Sequence, residues 1–115
     1  MKGNDKTMDD VLQTLYDTVL SRRDDPQEGS YTCYLLDQGI DKILKKLGEE
    51  CAETIIAAKN GSAAEIVSEA GDLLFHLMVM LVKSGVPLED LAAELGRRSQ
   101  KTGNLKPFKQ VDRNS

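Results

Sequence analysis

The sequence predicts an all-α helical bundle of about four main helices. Apolar residues recur every three or four positions along most of the chain. No stretch carries the strict alternation of a half-buried strand. Pro26, Pro87 and Pro107 each stand where a helix should start or stop. With 115 residues the chain suits one domain, expected over residues 1–100, followed by a polar, basic and poorly ordered tail over 101–115.

The first helix is expected over residues 8–23, where Met8, Val11, Leu12, Leu15, Val19 and Leu20 form one stripe. Residues 24–30 have loop composition. Residues 31–38 fit either a short helix or an irregular link, closed by Gly39. The second main helix covers 40–59, with Ile40, Ile43, Leu44, Leu47, Cys51, Ile55 and Ala58 at helical spacing. Asn60 and Gly61 end it, because both tolerate the left-handed conformation. Ser62, with Glu65 three residues later, opens the third helix as a capping box. That helix runs to about Lys83 and stops at Gly85. Pro87 suits the first turn of a fourth, whose buried face is Leu88, Leu91, Ala92 and Leu95. The short turn between the second and third helices makes them antiparallel neighbours.

Composition narrows the function. Fifteen basic residues against nineteen acidic ones give a net charge of −4. Such a balance disfavours nonspecific nucleic-acid binding and a polybasic membrane anchor. The N-terminus lacks the apolar core of a signal peptide. The longest apolar run, residues 73–82, is half the length of a membrane span. Cys33 and Cys51 form no metal or disulfide pattern, so two free thiols in the cytoplasm are expected.

The chemistry lies in the acids. On the second helix, Glu49, Glu50 and Glu53 point about 90–170° from the centre of the apolar stripe. On the third, Glu65, Glu69, Asp72 and His76 fall within about 60° of one another, along a segment otherwise apolar all round. Taken helix by helix, these are either solvated faces or one constructed site. Taken together, Glu50-x-x-Glu53 and Glu69-x-x-Asp72 on antiparallel neighbours converge four carboxylates. Such a cluster selects a hard divalent ion, Mg²⁺ or Mn²⁺, and that ion most often serves phosphate chemistry. Lys42, Lys45, Lys46 and Lys59 are available for phosphate charge. Gly48 and Gly71 interrupt helices beside the acids; they allow a close approach or are accidents of packing.

The doubled acidic motif resembles the signature of the MazG-like all-α nucleotide pyrophosphohydrolases. Ser30-Tyr31-Thr32, Gly39, Lys45-Lys46-Leu47-Gly48-Glu49-Glu50, Glu53, the segment 56–60 and the segment 69–76 resemble the phosphoribosyl-ATP pyrophosphohydrolases within that group. The likeness runs from about residue 8 to 100. It implies Mg²⁺-dependent hydrolysis of phosphoribosyl-ATP to phosphoribosyl-AMP and pyrophosphate, in histidine biosynthesis. It further implies that Glu50, Glu53, Glu69 and Asp72 hold the metal, and that Glu49 is the base for the attacking water or a further ligand. Arg22, Ser30, Tyr31, Thr32, Lys42 and Lys46 are implied as substrate contacts. His76, one turn after Asp72, either orients it or is simply packed. Phe75 stands where a Tyr is common in the family. The cyclohydrolase domain often fused ahead of this one is absent from the sequence.

Two other readings belong beside this one: a house-cleaning (d)NTP pyrophosphatase of the same superfamily, and a non-enzymatic helical interaction module. A homo-oligomer, most simply a dimer, is also expected. One small bundle cannot easily surround residues 73–82, so Leu77, Met78, Met80, Leu81 and Val82 are assigned to a subunit interface.

Overall fold

A computed structural model describes residues 6–100, so the expected tail over 101–115 lies outside the described residues. Five helices follow in order: α1 (Met8–Asp24), α2 (Tyr31–Gln38), α3 (Ile40–Asn60), α4 (Ala63–Lys83) and α5 (Leu88–Ser99). No strand occurs among the described residues. Helices α3 and α4 form the central antiparallel hairpin, with α1 packed on α4 and α2 wedged against α1, α3 and α4.

The ends of the helices have local causes. Thr7 and Asp10 form a reciprocal capping box at the start of α1. Segment 31–38, left open between helix and link, is a helix because the Ser30 hydroxyl caps the Cys33 amide. Gly61 takes φ 77° and closes α3 in the left-handed conformation. Ser62 caps Glu65, but the Glu65 carboxylate accepts from Asn60 rather than from the Ser62 amide. The expected capping box is therefore only half formed. Pro87 is the N-cap of α5, one position before its expected place.

The core comprises Tyr16, Val19, Leu35, Ile43, Met78, Val79, Leu81 and Val82. This corrects one expectation. Met78, Leu81 and Val82 are buried within the single chain, because α1 and α2 cover the C-terminal half of α4. They are not available to a second subunit, and Leu77 and Met80 are already partly covered. The expected buried face of α5 is also only half right. Leu88 and Leu91 pack on the core, whereas Ala92 and Leu95 are exposed.

The free apolar surface lies elsewhere. The buried line of α3 is Ile43, Glu50 and Ala57, spaced seven apart. Leu44, Cys51 and Ile55 lie about 120° around the helix from it and are exposed, Ile55 at 64 %. The apolar stripe of α3 is thus wider than the strip α4 covers. On α4, Val67 is 72 % exposed. Gly48 and Gly71 meet no neighbour that a Cβ would touch, so nothing among the described residues requires either glycine.

Candidate metal centre and adjoining cleft

Glu50 occupies a core position on α3, between Ile43 and Ala57, and is only 7 % exposed. Across the hairpin, α4 presents Glu69 and Asp72, three residues apart and so on one face. One carboxylate oxygen from each of Glu50, Glu69 and Asp72 lies within 4.8 Å of the other two. Oε1 of Glu50 and Oε1 of Glu69 are buried and have no hydrogen-bond partner among the described residues. Buried carboxylate oxygens normally find donors, so two without them beside a third acid suit a cation. Burial raises the Glu69 pKa above its ordinary value, helped by the Glu53 carboxyl beside it and by the charges of Asp72 and Glu50. Glu53 itself is exposed at the edge of the cluster.

Thr54 holds the two helices in register here. Its hydroxyl lies 2.7 Å from the Glu50 carbonyl on α3 and 3.3 Å from the Glu69 carbonyl on α4. The sequence reading missed this residue; its only signal was a position one turn after Glu50.

Glu49 stands apart from the three clustered acids. Its carboxylate pairs with Lys46 at 3.1 Å, and that ammonium holds its pKa below the usual value. Lys46 is raised in turn by the same pair. The other lysine expected to meet substrate, Lys42, lies 5.8 Å from the centre of the Tyr34 ring, a cation–π contact.

His76 is 4 % exposed and its ring is fixed at both nitrogens. Nδ1 lies 2.7 Å from the Asp72 carbonyl, and Nε2 lies 3.0 Å from the Tyr31 hydroxyl. A carbonyl only accepts, so Nδ1 carries the proton and Nε2 accepts from Tyr31. Histidine thereby ties α2 to the backbone of Asp72, not to its carboxylate. Burial raises the Tyr31 hydroxyl pKa, so the group stays a donor at neutral pH. Phe75 packs edge-on against the His76 ring at 5.0 Å.

A separate cleft of about 1050 Å³ opens between the end of α1, the start of α2 and the end of α4. Of the expected substrate contacts, Arg22, Ser30 and Tyr31 line it, while Thr32, Lys42 and Lys46 do not. None of the clustered acids lines it either. Tyr31 faces the cleft and also bonds to His76 on the helix that carries Glu69 and Asp72.

A protein-family model described as phosphoribosyl-ATP pyrophosphohydrolase matches residues 12–99. The chain is 52 % identical over 101 residues to a phosphoribosyl-ATP pyrophosphatase of Streptococcus thermophilus, covering 88 % of this chain and 97 % of that one. It is 53 % identical over 92 residues to one from Pelotomaculum thermopropionicum, covering 80 % and 94 %. It is also 52 % identical over 92 residues to a histidine biosynthesis bifunctional protein of Caldanaerobacter subterraneus, covering 80 % of this chain and 45 % of the relative.

Proposed function

Because the chain belongs to the phosphoribosyl-ATP pyrophosphohydrolase family, we propose that it hydrolyses phosphoribosyl-ATP to phosphoribosyl-AMP and pyrophosphate at the α3–α4 acid cluster, with Mg²⁺ bound there. The reaction is a step of histidine biosynthesis. The observation that carries the site is the pair of buried, partnerless oxygens on Glu50 and Glu69 beside Asp72.

Glu50, Glu69 and Asp72 hold the ion, and Glu53 joins them from the edge. Only oxygen ligands are offered, which fits Mg²⁺ or Mn²⁺. When bound, the ion polarises a water and neutralises charge on the departing pyrophosphate. Glu49 is the base. It is ionised at neutral pH, Lys46 fixes its direction, and it takes one proton from the attacking water. Lys42 and Lys46 supply positive charge to the phosphate chain, and Thr32, on the first turn of α2, is a further substrate contact. Tyr31 and His76 hold the backbone of Asp72 in place.

A second copy of the chain covers the exposed apolar strip on α3 and α4. Leu44, Cys51 and Ile55 form it with Val67, and Gly48 and Gly71 leave space for another helix to approach closely. No helix among the described residues is long and apolar enough to cross a membrane. Two free cysteines fit a reducing cytoplasm.

The test is pyrophosphate release from phosphoribosyl-ATP, with and without Mg²⁺, alongside a panel of dNTPs. Glu50→Gln and Asp72→Asn should each nearly abolish the Mg²⁺-dependent rate. Near-normal rates in both variants would remove the metal site from this position. A preference for dNTPs would make the protein a house-cleaning pyrophosphatase.

A further inference from the structure

Phosphoribosyl-ATP is ATP carrying a second, phosphorylated ribose on its base. It is therefore anionic at both ends: a triphosphate at one, a monophosphate at the other. The acid cluster, with its cation, suits the triphosphate. The same acids repel the remote monophosphate, which needs a separate cationic place. Without one, the protein would not distinguish this substrate from ATP.

We propose that the cleft between α1, α2 and α4 binds the phosphoribosyl phosphate, with Arg22 as its main cation and as the residue that selects phosphoribosyl-ATP over ATP. The proposal rests on the reading of the chain as a phosphoribosyl-ATP hydrolase.

The charges facing the cleft single out Arg22. Arg23 is engaged with Asp24 at 2.8 Å, and the Lys83 ammonium donates to the Leu36 carbonyl at 3.3 Å. Glu28 and Asp37 also line the cleft and equal Arg22 and Lys83 in number, so it is the lack of a partner, not net charge, that marks Arg22. Arg22 is half-buried, and its guanidinium makes no hydrogen bond or ion pair among the described residues. Keeping a charge part-desolvated without a partner is costly, which suits a site completed by an anion. The planar fork of arginine also matches phosphate oxygens two at a time.

Neutral donors lie beside it. Ser30 uses an oxygen lone pair to cap the Cys33 amide, which leaves its own hydroxyl proton free to donate. The amide of Tyr31, in the first turn of α2, has no acceptor within the helix. Tyr31 then connects the cleft with the helix of the acid cluster. It lines the cleft and, through His76, grips the Asp72 backbone.

The experiment compares phosphoribosyl-ATP with ATP at one Mg²⁺ concentration. In Arg22→Gln, the ratio of kcat/KM for phosphoribosyl-ATP to that for ATP should fall about 10- to 100-fold, carried mainly by KM. Arg22→Lys should recover part of the loss. Arg97→Gln, outside the cleft and paired with Glu94 at the surface, should change the ratio by no more than about twofold. Ribose 5-phosphate should compete with phosphoribosyl-ATP in the wild type and lose most of that competition in Arg22→Gln. An unchanged ratio with undiminished ribose 5-phosphate inhibition, in a wild type that hydrolyses phosphoribosyl-ATP, overturns the proposal. A wild type inert toward phosphoribosyl-ATP overturns the functional reading instead. Calorimetry of ribose 5-phosphate with the wild-type and Arg22→Gln proteins then decides the cleft by itself: Arg22-dependent binding supports it, and equal or no binding overturns it.

Discussion

Glu50→Gln should make the metal-free protein more stable and its metal response weaker. These are opposite effects from one substitution. In the metal-free state, Glu50 buries an oxygen with no donor, facing Glu69 and Asp72 within 4.8 Å. Gln keeps the shape, removes one like charge and brings an NH₂ group that can donate to Glu69. A hydrogen bond to a charged acceptor is worth about 1.5–3 kcal/mol, so the metal-free variant should gain on that order. Mg²⁺ acts the other way on the two proteins. At a concentration 100 times its Kd, an ion bound only by the native state adds about 2.7 kcal/mol, or about 10 °C in a chain of this size. Loss of a ligand that weakens binding about 100-fold leaves about 0.4 kcal/mol at the same concentration, under about 2 °C. The assay is thermal unfolding by circular dichroism, with EDTA or a Mg²⁺ series, at one fixed protein concentration. A metal-free Glu50→Gln protein that melts below the wild type would refute the argument from repulsion. A full Mg²⁺ shift retained in the variant would refute the placement of the ion.

Other predictions follow from the same geometry. Glu69 titrates above the ordinary carboxylate range in the folded chain. In EDTA its contribution to stability should therefore be greatest at acid pH and fade as pH rises through the raised pKa; urea midpoints across that window test this. Lys46 holds the Glu49 pKa down, so Lys46→Met should move the acid limb of the kcat profile to higher pH, and an unmoved limb would remove Glu49 from the role of base. Ile55 is 64 % exposed, so Ile55→Glu should leave the helical signal of the protomer intact while shifting sedimentation toward the monomer.

The sequence made the helices legible and the site half legible. Gly61, Ser62 and Pro87 mark boundaries because caps are local chemistry, read from neighbours along the chain. The doubled acidic motif was visible for the same reason: residues three apart share a face in any helix. What could not be read is which part of a wide apolar stripe finds a partner. The stripe of α3 extends from Ile43 around to Ile55, and periodicity weights both edges equally. The structure buries the Ile43 edge and takes Glu50 in with it, leaving Leu44, Cys51 and Ile55 outside. Tyr31 and His76 were both singled out, but the bond between them was hidden for a different reason. Their bond spans 45 residues of sequence and depends on where α2 docks.

The division of α4 explains how such a site can be tolerated. Its C-terminal half carries His76, Met78, Val79, Leu81 and Val82, all buried, and gathers α1 and α2 around it. Its N-terminal half carries Glu69 and Asp72 and faces little except α3. The groups that oppose folding in the metal-free state are thus on a different stretch of the helix from the residues that hold the fold together. Glu50, on the same buried line of α3 as Ile43, and His76, bonded to the Asp72 carbonyl, both join the two regions from buried positions. A stabilising substitution among the acids should therefore leave the packing of the core unchanged. A truncation such as Ile43→Ala, at a fully buried position one heptad before Glu50, should cost about 2–5 kcal/mol and disturb both regions at once.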